Sequence, residues 1–249
     1  MIELLLIGIG TGNPDHLTLQ AIKALNSADR VLIPLKGETK ADLAELRRQM
    51  CDSVLTNPAT EVVEFDLPVR DAANPSYRRG VDDWHDAIAE VWLNALAPLK
   101  GTGRAALLVW GDPSLYDSSL RIAERLAKRI PLKVTVIPGI TALQVLTAAH
   151  AIPLNDIGAP VVITTGRRLR DEGFPAGCDR AAVFLDGECS FQHLPPEDLT
   201  IWWGAYVGMA EQILIAGPVS EVAQRIIDTR ARARAEHGWI MDIYLLSRA

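Results

Sequence analysis

Three apolar runs in this chain lead straight into glycine-containing loops. Leu4-Leu5-Leu6-Ile7 precedes Gly8-Ile9-Gly10-Thr11-Gly12-Asn13-Pro14-Asp15. The run over 105–109 precedes Trp110-Gly111-Asp112-Pro113-Ser114-Leu115-Tyr116-Asp117-Ser118-Ser119, and the run over 134–137 precedes Pro138-Gly139-Ile140-Thr141-Ala142. The first run is continuous rather than alternating, the pattern of a strand buried on both faces. Glycine in such a loop permits positive φ and lets a ligand approach the backbone. In parallel sheets ligands collect at the carboxyl edge of the strands. Three glycine loops on one such edge constrain the chain more tightly than any one of them. Each loop alone also fits a strand–helix turn with purely structural work, and Ser118 or Ser119 is expected to cap the next helix.

The elements between these loops alternate. A helix over 18–27 carries Ala21, Ile22, Leu25 and Ala28 on one stripe, with Thr18 as its cap. Val31-Leu32-Ile33 reads as a strand stopped by Pro34, 40–50 as a polar helix and 62–65 as a strand. Val81, Trp84, Ile88, Val91, Trp92 and Ala95 recur at helical spacing, and 119–129 repeats that pattern. Strand–helix alternation predicts a parallel sheet covered on both faces. After a helix over 141–150, strands crowd together at 161–165, 182–185, 200–207, 212–216 and 239–246, with a single long helix over 219–235. Their short links predict antiparallel pairing. The expected organisation is an α/β chain of two lobes, 1–140 and 141–249, with a parallel sheet in the first, a mixed or antiparallel sheet in the second, and an active site in the cleft between them.

Composition narrows the partners. The 31 acidic residues outnumber 25 Lys and Arg, which argues against a dedicated nucleic-acid binder. No apolar run approaches the roughly 20 residues that cross a bilayer, and the first lacks the basic leader of a signal peptide. Cys51, Cys178 and Cys189 are odd in number and widely spaced, so neither a disulfide framework nor a zinc site is expected. The five histidines are scattered, giving no metal ligand set. A reducing, cytoplasmic setting fits.

The first loop invites comparison with a dinucleotide fingerprint, but its spacing is GxGxG followed by Asn-Pro rather than GxGxxG. The second strand ends Ile33-Pro34-Leu35-Lys36, without the acid that would hold a ribose hydroxyl. A nicotinamide oxidoreductase remains as another class, testable by titration with NAD.

Taken in order, the glycine loops resemble a known family. Gly8 through Thr18, Gly111-Asp112-Pro113-Ser114-Leu115-Tyr116, Ile137-Pro138-Gly139-Ile140-Thr141-Ala142 and Ile152-Pro153-Leu154 are similar to successive motifs of the tetrapyrrole methylases. Thr11 and Asn13 stand where many members have Pro and Asp. The resemblance implies a two-lobed homodimer that uses S-adenosylmethionine, with S-adenosylhomocysteine as product, to methylate a carbon of a tetrapyrrole. Lys36 to Leu43, Phe65 to Asp71, Val81 to Ala89 and Trp202 to Gly208 resemble the branch that methylates carbon 1 of precorrin-5 and releases acetate. Methylation at another ring carbon without deacetylation is the alternative within the family.

By this resemblance Gly111, Asp112, Pro113, Tyr116, Thr141 and Ala142 would line the donor pocket, joined by Leu185 and the turn Gly208-Met209-Ala210. Gly10, Gly12 and Pro14 would face the substrate. Its carboxylates suit guanidinium partners, for which Arg70, Arg78, Arg79, Arg167, Arg168 and Arg170 are candidates, each otherwise a surface charge. Acetate release requires a base and an oxyanion stabiliser. His85, Asp71, Tyr77 and Asp15 are the candidates, with His85 otherwise a polar position on its helix. Trp84 reads as core or cleft wall, and Tyr206 as a strand residue or one facing the cleft.

Overall fold

The computed structural model describes residues 1–35, 41–69, 77–196 and 198–248, with backbone alone at 41, 42, 77 and 78. The chain divides into two units, Met1–Thr141 and Ala142–Ala249.

In the first unit the apolar runs form β1 (Ile2–Gly8), β2 (Arg30–Leu35), β3 (Glu61–Asp66), β4 (Gly103–Val109) and β5 (Leu132–Ile137). They pair in parallel in the order β3-β2-β4-β1-β5. Helices α1 (Leu19–Asn26), α2 (Ala41–Val54), α3 (Tyr77–Leu96) and α4 (Ser119–Ala127) connect the strands. Successive side chains of a strand point to opposite faces, and β1 uses this fully. Leu5 and Ile7 pack with Ala21, Leu25 and Met50 of α1 and α2. Leu4 and Leu6 pack with Ile88, Trp92, Ile122 and Leu126 of α3 and α4. The unbroken apolar run thus serves two cores. Truncating a fully enclosed leucine such as Leu4 or Leu6 to alanine is expected to cost about 2–5 kcal/mol.

Local chemistry sets the ends of these elements. Thr18 Oγ1 accepts from the Ala21 N–H at 3.0 Å and starts α1, as expected. At α4 the serine cap is replaced. Ser118 makes no side-chain cap, and Asp117 Oδ1 accepts from the Ser119 N–H at 2.6 Å instead. β2 runs on through Pro34 to Leu35. Its ladder to β4 ends at Leu32, so the missing Pro34 donor breaks no bond on that side. Asp29 and Glu3 tie strand beginnings together. Asp29 Oδ2 accepts from the Arg104 N–H at 2.7 Å. Glu3 accepts from Lys133 Nζ at 2.7 Å, Thr135 Oγ1 at 2.8 Å and Arg104 Nε at 3.0 Å.

The second unit carries α5 (Ala142–His150), β6 (Val161–Thr165), α6 (Gly166–Glu172), β7 (Arg180–Phe184), β8 (Leu199–Ala205), β9 (Ile213–Pro218), α7 (Val219–His237) and β10 (Asp242–Arg248). Its sheet order is β6-β7-β10-β8-β9. The pair β8–β9 is antiparallel across a short link, as expected, and β7–β10 and β10–β8 are antiparallel although β10 comes from the far end of the unit and inserts between β7 and β8. β6 and β7 are parallel, because α6 crosses between them. That helix was not expected. Six of its seven residues are glycine or charged, and Leu169 is its one buried side chain besides Gly166, too little for a helical period to show. A separate core gathers Val183, Phe191, Ile201, Trp203, Tyr206, Ile226, Tyr244 and Leu246.

Candidate functional site

The glycine loops of the first unit leave β1, β4 and β5, which are neighbours in the sheet. Beyond the last ladder rung, Gly111 N–H donates to the Gly10 carbonyl at 2.8 Å, and Gly10 N–H returns a bond to the Gly111 carbonyl at 3.3 Å. Gly10 and Gly111 both hold positive φ, +73° and +66°. Gly139 lies across this pair. A Cβ on Gly139 would overlap the Gly111 carbonyl oxygen and stand 2.7 Å from Gly8 Cα. A Cβ on Gly8 would stand 2.6 Å from Gly139 N. The loops therefore stack backbone on backbone. At Gly111 the one atom among the described residues that a Cβ would meet within 4 Å is Thr141 Cα, at 3.9 Å, so space is open over that residue.

Asp112 fastens the stack. Its Oδ2 accepts from the Gly139 N–H at 2.8 Å, while Oδ1 accepts from Ser114 N–H at 2.8 Å and Ser114 Oγ–H at 2.5 Å. Burial opposes ionisation, but these donors outweigh it and hold the carboxyl below its usual range. Pro113 is buried and stiffens the turn, and Tyr116 stands 44% exposed with φ of +50°. In the first loop Thr11 Oγ1 lies 3.2 Å from His16 Nδ1, and Asn13 Oδ1 accepts from the Asp15 N–H at 2.9 Å. The two departures from the family pattern thus secure a short 3-10 turn over Pro14–His16. Gly12 is half-buried, and Pro14 and Asp15 are exposed on that turn.

The second unit places its candidates on two strand ends. Leu185 follows β7, 68% exposed and held at φ of +53°. Gly208, Met209 and Ala210 form the turn after β8, where Gly208 N–H donates to Gln212 Oε1 at 2.9 Å. Beneath it Tyr206 is buried, and its hydroxyl donates to the Trp239 carbonyl at 2.6 Å. Tyr206 is a core anchor of the turn. Thr141 and Ala142 are half-buried where the two units join in sequence.

Of the acid–base candidates, His85 and Asp15 have described side chains. His85 is 3% exposed, on the α3 face that carries Ile88, Ala89 and Trp92. Among the described residues neither ring nitrogen has a hydrogen-bond partner, and the ring packs on Trp84 at 5.7 Å. Burial, with help from Arg125, keeps it below the usual imidazole range and so neutral. Trp84 donates to the Pro68 carbonyl at 2.7 Å, which makes it a tie between α3 and the segment that follows β3. Arg70 and Asp71 lie outside the described residues, as do the side chains of Tyr77 and Arg78. Arg79 and Arg167 are exposed. Arg168 pairs with Glu172 at 2.8 Å, and Arg170 with Asp171 and Glu188 at 2.9 and 2.5 Å. Among the described residues no group of His, Cys, Asp and Glu is arranged to hold a metal, and no helix is long and apolar enough to cross a membrane.

Sequence reasoning found the glycines but missed what Asp112 does. It also missed Asp186, Ser190, Arg230, Asp242 and Tyr244, a buried polar group in the second unit. The one sequence signal for it is an acid directly after the apolar run that ends at Leu185.

A parallel sheet ending in stacked glycine loops, with a mixed-sheet unit after it, is the architecture of a class, and the chain belongs to that class: the Tetrapyrrole (Corrin/Porphyrin) Methylases family matches residues 3–223. Over its whole length the chain is 51% identical to the precorrin-6A synthase (deacetylating) of a Sinorhizobium species, of which it covers 96%. It is 34% identical, over 67% of its length and 69% of the relative, to a precorrin-2 C(20)-methyltransferase from Sinorhizobium. The crystal structure of a cobalamin-synthesis-related protein, CobF, from Corynebacterium diphtheriae matches with a TM-score of 0.85 and 39% identity, covering 100% of this chain and 99% of that one. The uroporphyrin-III C-methyl transferase of Thermus thermophilus, solved with S-adenosyl homocysteine, shares the fold with a TM-score of 0.62 at 17% identity, over 98% of this chain and 92% of that one.

Proposed function

We propose that this chain is an S-adenosylmethionine-dependent C-methyltransferase that methylates carbon 1 of precorrin-5 and releases acetate, giving precorrin-6A. The observation that carries the reading is the full-length, 51% identity to a precorrin-6A synthase (deacetylating). The open space over Gly111, on a floor made of backbone, suits a ligand that lies close to the main chain. Gly111, Pro113, Tyr116, Thr141 and Ala142, with Leu185, Gly208, Met209 and Ala210 of the second unit, would hold the donor. Asp112 would serve it indirectly, by keeping the loops stacked.

Bound S-adenosylmethionine supplies a methyl group already activated by its sulfonium. The protein's task is then alignment of donor and ring carbon, which a rigid backbone floor performs well. Gly10, Gly12, Pro14, Arg70, Arg79 and Arg167 would orient the polycarboxylate substrate. Release of acetate needs a base to direct water at the acetyl carbon. Asp15, exposed beside the first glycine loop, together with Asp71 and Tyr77, would take this work. His85, enclosed and neutral, would act through the packing of α3. A homodimer in the cytoplasm completes the reading, and the three cysteines, unpaired and buried, suit a reducing compartment.

The test is the mass of the product formed from precorrin-5 and donor carrying a deuterated methyl. Gain of one labelled methyl with loss of an acetyl group is expected. Gain of the methyl alone would place the chain in another branch of the family. In the same assay Asp15→Asn or Asp71→Asn should slow acetate release while methyl gain persists.

A further inference from the structure

Among the described residues seven non-glycine positions hold positive φ, and just two of them, Tyr116 and Leu185, are large apolar side chains left exposed. Left-handed backbone at such a residue is strained and persists where its surroundings over-determine it. At Leu185 those surroundings are a closed polar network. Asp186 is 6% exposed, yet its carboxylate takes four bonds. Oδ1 accepts from Glu188 N–H at 3.0 Å and Ser190 Oγ–H at 2.9 Å. Oδ2 accepts from Ser190 N–H and from the Tyr244 hydroxyl, both at 2.6 Å. Arg230 Nη2 donates to the Asp186 carbonyl at 3.1 Å, and its Nε donates to Asp242 Oδ2 at 2.9 Å. Trp203 Nε1 donates to the same Asp242 oxygen at 3.0 Å. Gly166 closes the last side, where a Cβ would overlap the Asp186 carboxylate. Burial beside Asp186 pushes the Tyr244 phenol well above its usual range, so at neutral pH it remains a donor.

This network, drawn from the segment after β7 and from β8, β10, α7 and the α6 start, fixes the peptide that turns the chain out of β7. Its visible product is an apolar side chain held 68% exposed in left-handed backbone. A flat apolar ring laid against Leu185 would recover that exposed surface. We propose that Asp186 is a positioning residue for the methyl donor, holding Leu185 in the one conformation that presents its side chain to the donor's adenosine group. The proposal rests on the methyl-donor reading given above.

The experiment measures Kd for S-adenosylhomocysteine by calorimetry, with KM and kcat for S-adenosylmethionine, in four proteins. These are wild type, Tyr244→Phe, Leu185→Gly and the double variant. Tyr244→Phe removes one bond to Asp186 and should raise Kd and KM about fivefold, with kcat at saturating donor unchanged. Glycine adopts positive φ freely, so Leu185→Gly keeps the turn and deletes the contact. It should weaken binding too, and Tyr244→Phe should then add nothing in that background. A purely structural Asp186 would lower the melting temperature and leave Kd and KM unmoved, which would overturn the proposal. So would additive losses in the double variant. Should Tyr244→Phe fail to fold, Ser190→Ala removes a single bond to Asp186 and serves the same cycle. If wild type itself binds no S-adenosylhomocysteine, the functional reading falls with the proposal. Wild-type binding with an indifferent Tyr244→Phe sinks the proposal alone.

Discussion

At the scale of single residues, space and hydrogen bonding explain the site better than charge does. Gly139 sits where a methyl group would overlap a neighbouring carbonyl oxygen, and that neighbour is backbone, which cannot swing aside. Gly139→Ala should therefore lower stability by about 1–3 kcal/mol and weaken S-adenosylhomocysteine binding, as read by urea melts and calorimetry. Gly158→Ala is the control. Unlike Gly139 it has positive φ, but no described atom lies within 4 Å of its added Cβ, so it should cost only the backbone strain of about 1–2 kcal/mol and leave binding alone. The three glycine loops could be seen in the sequence because glycine next to a strand is a conspicuous residue. The reason for each glycine could not, since Gly8, Gly111 and Gly139 meet only once β1, β4 and β5 are side by side. Asp112 was legible as part of a motif, but its real partner, the Gly139 amide, lies 27 positions away. The Asp186 network was less legible still, with partners from Gly166 to Tyr244 and no local spacing to betray them.

At the scale of elements, the strands were legible, the edge strands β3 and β6 included, and the short helix α6 was not. β1 and β4 are buried on both faces, so their apolar runs are unbroken. β3 and β6 stand at sheet edges and alternate or mix exposed positions, while α6 buries too little to show a period. Strand beginnings in the first unit are tied by charge instead. Lys133 and Thr135, with Arg104, pull the Glu3 carboxyl down to about 2 from its usual 4.5, against the effect of burial. A carboxyl with a depressed folded-state pKa stabilises the fold above its unfolded value and loses that contribution as pH falls through the folded one. Wild type should therefore lose stability relative to Glu3→Gln between about pH 4.5 and pH 2. Denaturant melts at a series of pH values would check this, and parallel curves for the two proteins would count against it.

At the scale of the whole molecule, each unit has its own sheet and its own core, and each supplies one kind of candidate contact. The first offers backbone loops, the second an exposed apolar side chain on a rigid polar mount. The proposed homodimer predicts a sedimenting species of twice the single-chain mass at micromolar concentration, and a monomer at that concentration would remove it from the reading. The stacking of Gly8, Gly111 and Gly139 has one more consequence. A surface made of peptide groups presents the same amides and carbonyls whatever the surrounding sequence becomes. If the proposed donor site is there, anyone wishing to retrain it for an altered methyl donor has no side chains to exchange on that floor. The changes must go to positions around it, such as Tyr116 and Thr141, and selectivity gained there would leave the shared alkylating chemistry intact.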